Sequence, residues 1–173
     1  KDAYDNPVTS LTPEAPSLAG AAAVGSTASG WTNNGDGTWT AQITLGSTAG
    51  ELEVMPKLNG QDAAANAAKV TVVADALSSN QSKVSVAEDH VKAGESTTVT
   101  LIAKDAHGNT ISGLSLSASL TGTASEGATV SSWTEKGDCS YVATLTTGGK
   151  TGELRVMPLF NGQPAATEAA QLT

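Results

Sequence analysis

The two histidines are the residues of this sequence best suited to acid–base or metal chemistry near neutral pH. His90 follows Asp89, and His107 lies two residues after Asp105, each within a polar, turn-like segment. No cysteine, second histidine or serine stands beside either one at the spacing of a metal site or a catalytic triad. We therefore predict two solvated turn histidines without a catalytic or metal-binding role.

Two aspartates could in principle begin a calcium-binding loop. Asp36 lies in Asn-Gly-Asp-Gly and Asp138 in Lys-Gly-Asp-Cys, which superficially resemble the start of such a loop. The alternating oxygen ligands and the terminal glutamate of that loop are missing from both segments. We predict hairpin turns there, and we predict no metal or cofactor site in the chain.

The single cysteine, Cys139, follows Asp138 in the second of these turns and is expected to be exposed. One cysteine cannot form an intrachain disulfide, so a disulfide-stapled scaffold is excluded. An odd thiol can pair between chains, can be introduced by engineering, or can be an idle small residue, and we favour the last two. No general base accompanies it, so we assign it no catalytic role.

The tryptophans are the remaining candidates for ligand contacts, because an exposed indole can stack on a sugar ring. Trp31 and Trp133 occupy equivalent positions, and we predict that each packs into the core of a β-sandwich. Trp39 is replaced by Tyr141 in the equivalent position and could lie at the surface.

These residues recur because one stretch of sequence occurs twice. Residues 31–71 and 133–173 are identical at 21 of 41 positions with an offset of 102. A repeat of about a hundred residues is a whole small domain with its own core. Residues 1–8 match 104–111, whereas Ser82 to Ala103 has no earlier counterpart. We predict a partial domain over residues 1–75 that lacks its N-terminal strands, a short linker over 76–81, and a complete domain over 82–173.

The composition limits the class of protein. Aromatic residues make up 3% of the 173 residues, so the cores must consist mainly of Val, Leu, Ile and Ala. The formal net charge is -8, and lysine and arginine occur only singly, which argues against binding to nucleic acid or to an anionic membrane surface. No apolar stretch approaches about 18 residues, so we expect neither a membrane span nor a signal peptide within the chain.

Alternating side chains predict short β-strands throughout the chain. Val99, Leu101 and Ala103 share one face of a β-branched run, and Thr98, Thr100 and Ile102 share the other. Turn signals such as Asn59-Gly60 and Asn161-Gly162 separate such runs at short spacing. About seven short strands in a hundred residues indicate an immunoglobulin-like β-sandwich, so we predict an all-β chain of two tandem sandwiches.

Three further segments are interpreted by the same pattern. The alanine-rich residues 62–69 and their copy at 164–171 are predicted to lead into a final strand. Glu51 and Glu153 recur together with the dipeptides Met55-Pro56 and Met157-Pro158, which indicates a requirement of the fold rather than an active site. Residues 74–81 contain no glycine or proline and leave little slack between the domains, which favours a stiff connection.

The order of three motifs, each present in both copies, resembles the bacterial immunoglobulin-like repeats of the intimin and invasin family, in particular the third domain of invasin. The motifs are Lys-Asp-Ala-x-x-Asn, Trp-Thr-x-x-Gly-Asp-x-x-aromatic, and Gly-Glu-Leu-x-Val-Met-Pro-x-x-Asn-Gly-Gln. The resemblance implies a cell-surface adhesin of the inverse autotransporter type. It also implies an outer-membrane barrel and a receptor-binding tip, both outside this chain.

Two functions are compatible with this sequence. The first is a stalk repeat of a bacterial surface adhesin, with host cell-surface or matrix molecules bound through other parts of the parent protein. The alternative is a carbohydrate-binding or spacer module of a secreted enzyme, which requires exposed tryptophans along one sheet. An enzyme in its own right would need a concave cluster of titrating residues, and the sequence offers none.

Overall fold

The computed structural model describes Tyr4, Asn6 and residues 10–173. The chain divides into two compact units, Lys1–Val73 and Ala74–Thr173. Both units consist of short antiparallel strands, which confirms the predicted all-β, immunoglobulin-like architecture. In the described residues the only helical element is one 3-10 turn at Ala21–Ala23, and no helix there is long and apolar enough to cross a membrane.

Unit 1 contains eight strands among its described residues. Its largest sheet has the order β1–β6–β7, and β8 pairs with β6, whereas β2–β5 and β3–β4 form two short ladders. The strands are β1 Glu14–Ala19, β2 Thr27–Ala28, β3 Thr32–Asn33, β4 Trp39–Thr40, β5 Ile43–Thr44, β6 Gly50–Leu58, β7 Gln61–Asp62 and β8 Ala68–Val72.

Unit 2 is a sandwich of two sheets. The strands are β9 Lys83–Val86, β10 Ser96–Ile102, β11 Leu116–Thr121, β12 Thr129–Val130, β13 Thr134–Glu135, β14 Ser140–Thr146, β15 Leu154–Phe160, β16 Gln163–Pro164 and β17 Ala170–Leu172. One sheet has the order β12–β14–β10–β9, with β13 also on β14. The other has the order β11–β15–β16, with β17 also on β15.

The core of unit 2 lies between these two sheets. Val99 and Leu145 come from the first sheet and pack in one cluster with Leu154 and Val156 from the second, and all four are at most 1% exposed. The predicted alternation at the end of β10 is confirmed, because Leu101 and the following Ala103 are fully buried whereas Ile102 is 43% exposed.

The predicted turn chemistry is also confirmed. Asn59 and Asn161 have φ values of 52° and 50°, and each is followed by a glycine with positive φ. This left-handed conformation suits tight hairpins and is tolerated by Asn and Gly. The alanine-rich segments form bends rather than helices and lead into β8 and β17, as predicted.

Strands β9 and β10 have no counterpart among the described residues of unit 1. The other seven strands of unit 2 correspond to strands of unit 1 at the offset of the sequence repeat, with β4 and β5 together equivalent to β14. The predicted match of residues 1–8 to 104–111 falls mostly outside the described residues.

The segment predicted as a linker makes contacts within unit 2. The N–H of Ser78 donates to the carbonyl of Lys104 at 2.8 Å, and the N–H of Thr167 donates to the carbonyl of Ser79 at 3.1 Å. Leu77 forms an antiparallel bridge with Asp105. Residues 77–79 are therefore held by the second sandwich.

Candidate functional site

Both histidines lie at the surface, as predicted, His107 in a turn and His90 in an irregular segment. The imidazole of His90 is 77% exposed, and its Nδ1 is 2.9 Å from a carboxylate oxygen of Asp89. His107 is exposed, and its backbone N–H, rather than its ring, contacts Asp105. The structure therefore brings neither imidazole into a cluster with other reactive groups.

Asp36 and Asp138 organise hairpin turns in the same way. One carboxylate oxygen of Asp36 accepts the hydroxyl of Thr38 at 2.6 Å and its N–H at 2.9 Å. Asp138 accepts the corresponding pair from Ser140. These hydroxyl and amide donors lower the pKa of both carboxyls. Within the described part of the chain, no three His, Cys, Asp or Glu residues are grouped as metal ligands.

Cys139 differs from the prediction that it is exposed, because its side chain is partly buried. Its φ of 59° places it in the left-handed region, where the N–H of Cys139 closes the turn onto the carbonyl of Lys136 at 2.9 Å. The equivalent residue in unit 1 is Gly37, with φ 87°. The turn geometry, and not a reactive environment, therefore explains this position.

The tryptophans do not form an exposed platform. Trp133 packs against both apolar clusters of unit 2, which confirms the prediction of a core position. Trp31 and Trp39 are partly buried and line an apolar groove of about 150 Å³ in unit 1, together with Leu11 and Leu58. The indole nitrogens of all three tryptophans are buried without a hydrogen-bond partner.

The groove of unit 1 corresponds to core space in unit 2. There, Leu101 of β10 and Ala103, which follows β10, are in one cluster with Tyr141, the counterpart of Trp39. Because β10 has no counterpart among the described residues of unit 1, Trp39 lacks this cover. The apolar lining of the groove is therefore explained as an uncovered part of a sandwich interior.

Asp105 is the centre of a buried polar network, and its side chain is completely buried. One carboxylate oxygen accepts the N–H groups of His107 and Asn109, both at 2.9 Å. The other accepts the side-chain amide of Asn109 at 2.7 Å and the N–H of Asp75 at 3.0 Å. Burial alone would raise the pKa of Asp105, but these donors outweigh it and lower the pKa to about 2.

These four donors make Asp105 a structural anion. A carboxylate that accepts several N–H bonds is satisfied without a counter-ion, and its lone pairs are already in use. Sequence reasoning did not single out Asp105, although its motif Lys-Asp-Ala-x-x-Asn occurs in both copies. The Asp and the Asn of that motif are the two side chains that meet here.

Tyr141 forms a second buried polar connection. Its hydroxyl donates to the carbonyl of Ile111 at 2.9 Å and accepts the N–H of Leu114 at 3.0 Å. Burial raises the pKa of the phenol. The side chain is 1% exposed, so it ties the loop before β11 to the middle of the sandwich.

The repeated Glu and Met-Pro segments contribute backbone carbonyls that accept hydrogen bonds. The carbonyl of Pro158 accepts the N–H of Ala165, and that of Pro56 accepts the N–H of Ala63, both at 2.9 Å. The carbonyl of Glu153 accepts the N–H of Ala124 at 3.0 Å. These bonds support the prediction that the recurring motif is a requirement of the fold.

Comparison with known proteins places this geometry in a family. The family model described as invasin, domain 3, matches residues 1–75 and 78–173. The curated protein YeeJ of Escherichia coli, an inverse autotransporter adhesin, is 36% identical over 137 residues, which cover 78% of this chain and 5% of that protein.

Solved structures agree with this comparison. The structure of FdeC, an Escherichia coli adhesin, has a TM-score of 0.93 and 92% identity, and the match covers all of this chain and 55% of that one. InvD of Yersinia pseudotuberculosis has a TM-score of 0.77 at 23% identity, covers all of this chain and 50% of that one, and supports the fold alone. This chain therefore spans only part of the relatives that it matches.

Proposed function

Because this chain belongs to the invasin domain 3 family, we propose that it forms two successive repeats in the stalk of a bacterial surface adhesin. In this proposal the repeats hold an adhesive region away from the cell and have no enzymatic activity. Anchorage in the outer membrane and contact with host molecules belong to other parts of the parent protein. The observation that carries the proposal is that one family model matches both units in succession.

The use of the polar groups supports a spacer role. The buried side chains of Asp105 and Tyr141 use their polar atoms in hydrogen bonds that lie within unit 2. Side chains that recur in both units stabilise turns or the backbone. Polar groups that are engaged in hydrogen bonds within a repeat stabilise that repeat and are not available to bind a substrate.

The connection between the repeats also suits a spacer. Strand β8 ends at Val72, and the N–H of Asp75 is already bonded to Asp105 at 3.0 Å. Val73 and Ala74 alone separate these two points. Short connections leave fewer conformations to the chain than long ones.

The test is a replacement experiment in the parent adhesin on the cell surface. One variant lacks residues 74–173, and a second carries an unrelated immunoglobulin-like sandwich of similar length in their place. Surface amount is matched by an epitope tag, and adhesion of the cells to their target is measured. A spacer role predicts that the deletion weakens adhesion and that the unrelated sandwich restores it.

A different result separates the possibilities. If the unrelated sandwich leaves adhesion as weak as the deletion does, residues 74–173 themselves make the adhesive contact and the spacer proposal is wrong. If both variants adhere like the wild type, the length of the stalk does not matter and the proposal is equally wrong.

A further inference from the structure

Strand β11 lies at the edge of its sheet, and its backbone has a defined free side. Among the described residues it pairs only with β15, and Ala118 stands opposite Pro158 in that ladder. Residue pairs in an antiparallel ladder alternate between those that exchange N–H···O bonds and those that point these groups away. Because proline has no N–H, the Ala118–Pro158 pair belongs to the second kind.

This alternation assigns the outward-facing groups. Ala118 is in a pair without backbone hydrogen bonds. Leu116 and Leu120 lie two residues before and after it, so they also belong to pairs of this kind. Their N–H and C=O groups point away from β15, and no other backbone bond is made by residues 116–121 in unit 2, which is described throughout. The free edge therefore offers three N–H groups and three C=O groups in one row.

The equivalent edge in unit 1 is protected. Pro16 occupies the position of Ala118 and removes the central outward N–H. The ladder of β1 also contains a register shift between Glu14 and Ser17, and Glu14 adds a charge. Proline, bulges and charges are the devices by which natural proteins prevent strands from adding to an edge, and β11 has none of them.

The groove beside the β11 edge has an uncharged lining, although the chain has a net charge of -8. A groove of about 380 Å³ lies beside it, and its lining contains no charged residue. The lining residues are Ser117, Ala118, Leu120, Ala128, Thr129, Val130, Ser131 and Trp133. A second acidic chain can approach this part of the surface without placing carboxylates opposite each other.

The sequence of the edge is self-complementary. Residues 116–120 are Leu-Ser-Ala-Ser-Leu, which has the same order in both directions. In an antiparallel, two-fold arrangement centred on Ala118, leucine meets leucine, serine meets serine, and alanine meets alanine. The outward-facing residues 116, 118 and 120 then form bonded pairs, with about six N–H···O bonds in total.

We propose that β11 is a homophilic docking edge, at which unit 2 pairs with β11 of a second copy of this chain. The two four-stranded sheets then continue into each other across the two-fold axis. This inference goes beyond the proposed stalk function, because it gives the stalk a means of contact with stalks of the same kind.

The contact is weak for a single pair of units. An interface of two six-residue strands lies below the size of stable complexes, about 1,200 Å² in total, so we expect a Kd between about 0.1 and about 1 mM. Both copies are acidic, so screening by salt strengthens the pairing. Tandem repeats on two surfaces can engage several such edges, and multivalency then raises the overall strength.

Nuclear magnetic resonance of the 173-residue chain tests the proposal. The chain is titrated with itself from about 20 µM to about 1 mM, at low and at high salt. We expect concentration-dependent shifts at the amides of Leu116, Ala118 and Leu120, and slower tumbling, with both effects larger at high salt. Sedimentation velocity measures the association independently.

The matched variant is Ala118→Pro, which copies Pro16 of unit 1. It removes the central outward N–H and leaves the bonds to β15 in place, so we expect a wild-type fold and complete loss of association. Circular dichroism and thermal unfolding check the fold. The converse variant, Pro16→Ala, leaves the register shift and Glu14 of β1 in place and is expected to associate like the wild type.

A charge pair gives a second test that does not depend on proline. In the two-fold arrangement Ser117 faces Ser119 of the second copy. Ser117→Lys alone and Ser119→Glu alone are expected to weaken self-association, because each places a charge at the edge of both copies. A mixture of these two variants is expected to form heterodimers at least as tight as the wild-type dimer.

Each of the following results would overturn the proposal. The first is a wild-type chain that remains monomeric at about 1 mM under high salt. The second is an association that Ala118→Pro leaves unchanged, as pairing through the apolar groove of unit 1 would be. The third is a dimer with unshifted β11 amides, or a charge-variant mixture that associates no better than either variant alone.

Discussion

The carboxylate of Asp105 accepts the backbone N–H of Asp75 at 3.0 Å, across 30 positions of the chain. The same carboxylate holds the turn that contains His107 and Asn109. One buried anion therefore fixes the start of unit 2 against a turn that follows β10. The alternation of apolar residues could not show this contact, because it joins two segments that are polar and irregular.

Replacement of Asp105 by asparagine is expected to destabilise unit 2. The new side-chain NH₂ faces the N–H of Asp75 and the amide of Asn109, so buried donors lose their acceptor. Such losses cost about 1–3 kcal/mol in unfolding free energy. Denaturant unfolding and hydrogen exchange at β10 and β14 measure the change.

Asp138→Asn is the matched control for this prediction. Asp138 accepts a similar pair of bonds from Ser140, but it does so in an exposed turn. Water can replace those bonds, so a much smaller loss of stability is expected. Equal losses in the two variants would contradict the role given to Asp105.

Acid is expected to weaken unit 2 through the same group. The pKa of Asp105 is about 2 in the folded chain against an ordinary value of 3.8. Because the folded value is the lower one, unfolding takes up a proton in this range. The stabilisation is complete above about pH 4 and is lost as the pH falls towards 2.

The measurement compares thermal unfolding of the wild type and Asp105→Asn at several pH values between about 5 and 2. Exposed carboxyls with lowered pKa, such as Asp36, Asp89 and Asp138, titrate in both proteins and cancel in the comparison. The difference in Tm between the two proteins should shrink with acid. A constant difference would show that Asp105 does not titrate in this window.

Removal of the Tyr141 hydroxyl is expected to loosen the loop before β11. Tyr141→Phe keeps the ring in the core but leaves the carbonyl of Ile111 and the N–H of Leu114 without this partner. A loss of about 1–3 kcal/mol is expected for these buried groups. Faster hydrogen exchange at Leu114 should accompany it. Ser96→Ala removes an exposed hydroxyl bond to Thr146 and serves as the near-neutral control.

Gly122 is expected to tolerate no side chain. Its φ is +107°, and a Cβ atom there would lie 2.3 Å from the carbonyl oxygen of Glu153. Gly20 meets the carbonyl oxygen of Glu51 at the same distance in unit 1, so both units place a glycine at this close approach. Gly122→Ala should cost at least about 2 kcal/mol, since backbone strain and a backbone clash combine.

Gly137→Ala is the control for Gly122→Ala, because a Cβ atom at Gly137 has nothing within 4 Å. Thermal unfolding of both variants measures the difference. A wild-type Tm for Gly122→Ala would mean that the backbone of Glu153 moves away at little cost.

Local patterns were sufficient to predict the sandwich, because burial in a strand depends on the alternation of neighbouring residues. Val99 and Leu101 are buried and Ile102 is exposed, as a period of two requires. The position of a strand within a sheet depends instead on distant pairing. The sequence of β11 therefore did not show that Ala118 lies at an open edge. The sequence around Asp105 did not show that the backbone N–H of Asp75 would bond to its carboxylate.

The repeat itself allows one stabilising substitution to be predicted. Cys139 has a φ of 59°, whereas Gly37 takes φ 87° in the equivalent turn. A residue with a side chain is destabilised by about 1 kcal/mol in the left-handed region. Glycine avoids this strain, but it loses more conformational entropy on folding, which offsets part of the gain. Cys139→Gly should therefore raise the stability of unit 2 by a few tenths of a kcal/mol, up to about 1 kcal/mol. Cys139→Ser keeps a side chain and should not raise the stability. A similar rise in Tm for both variants would point to the thiol rather than to the backbone.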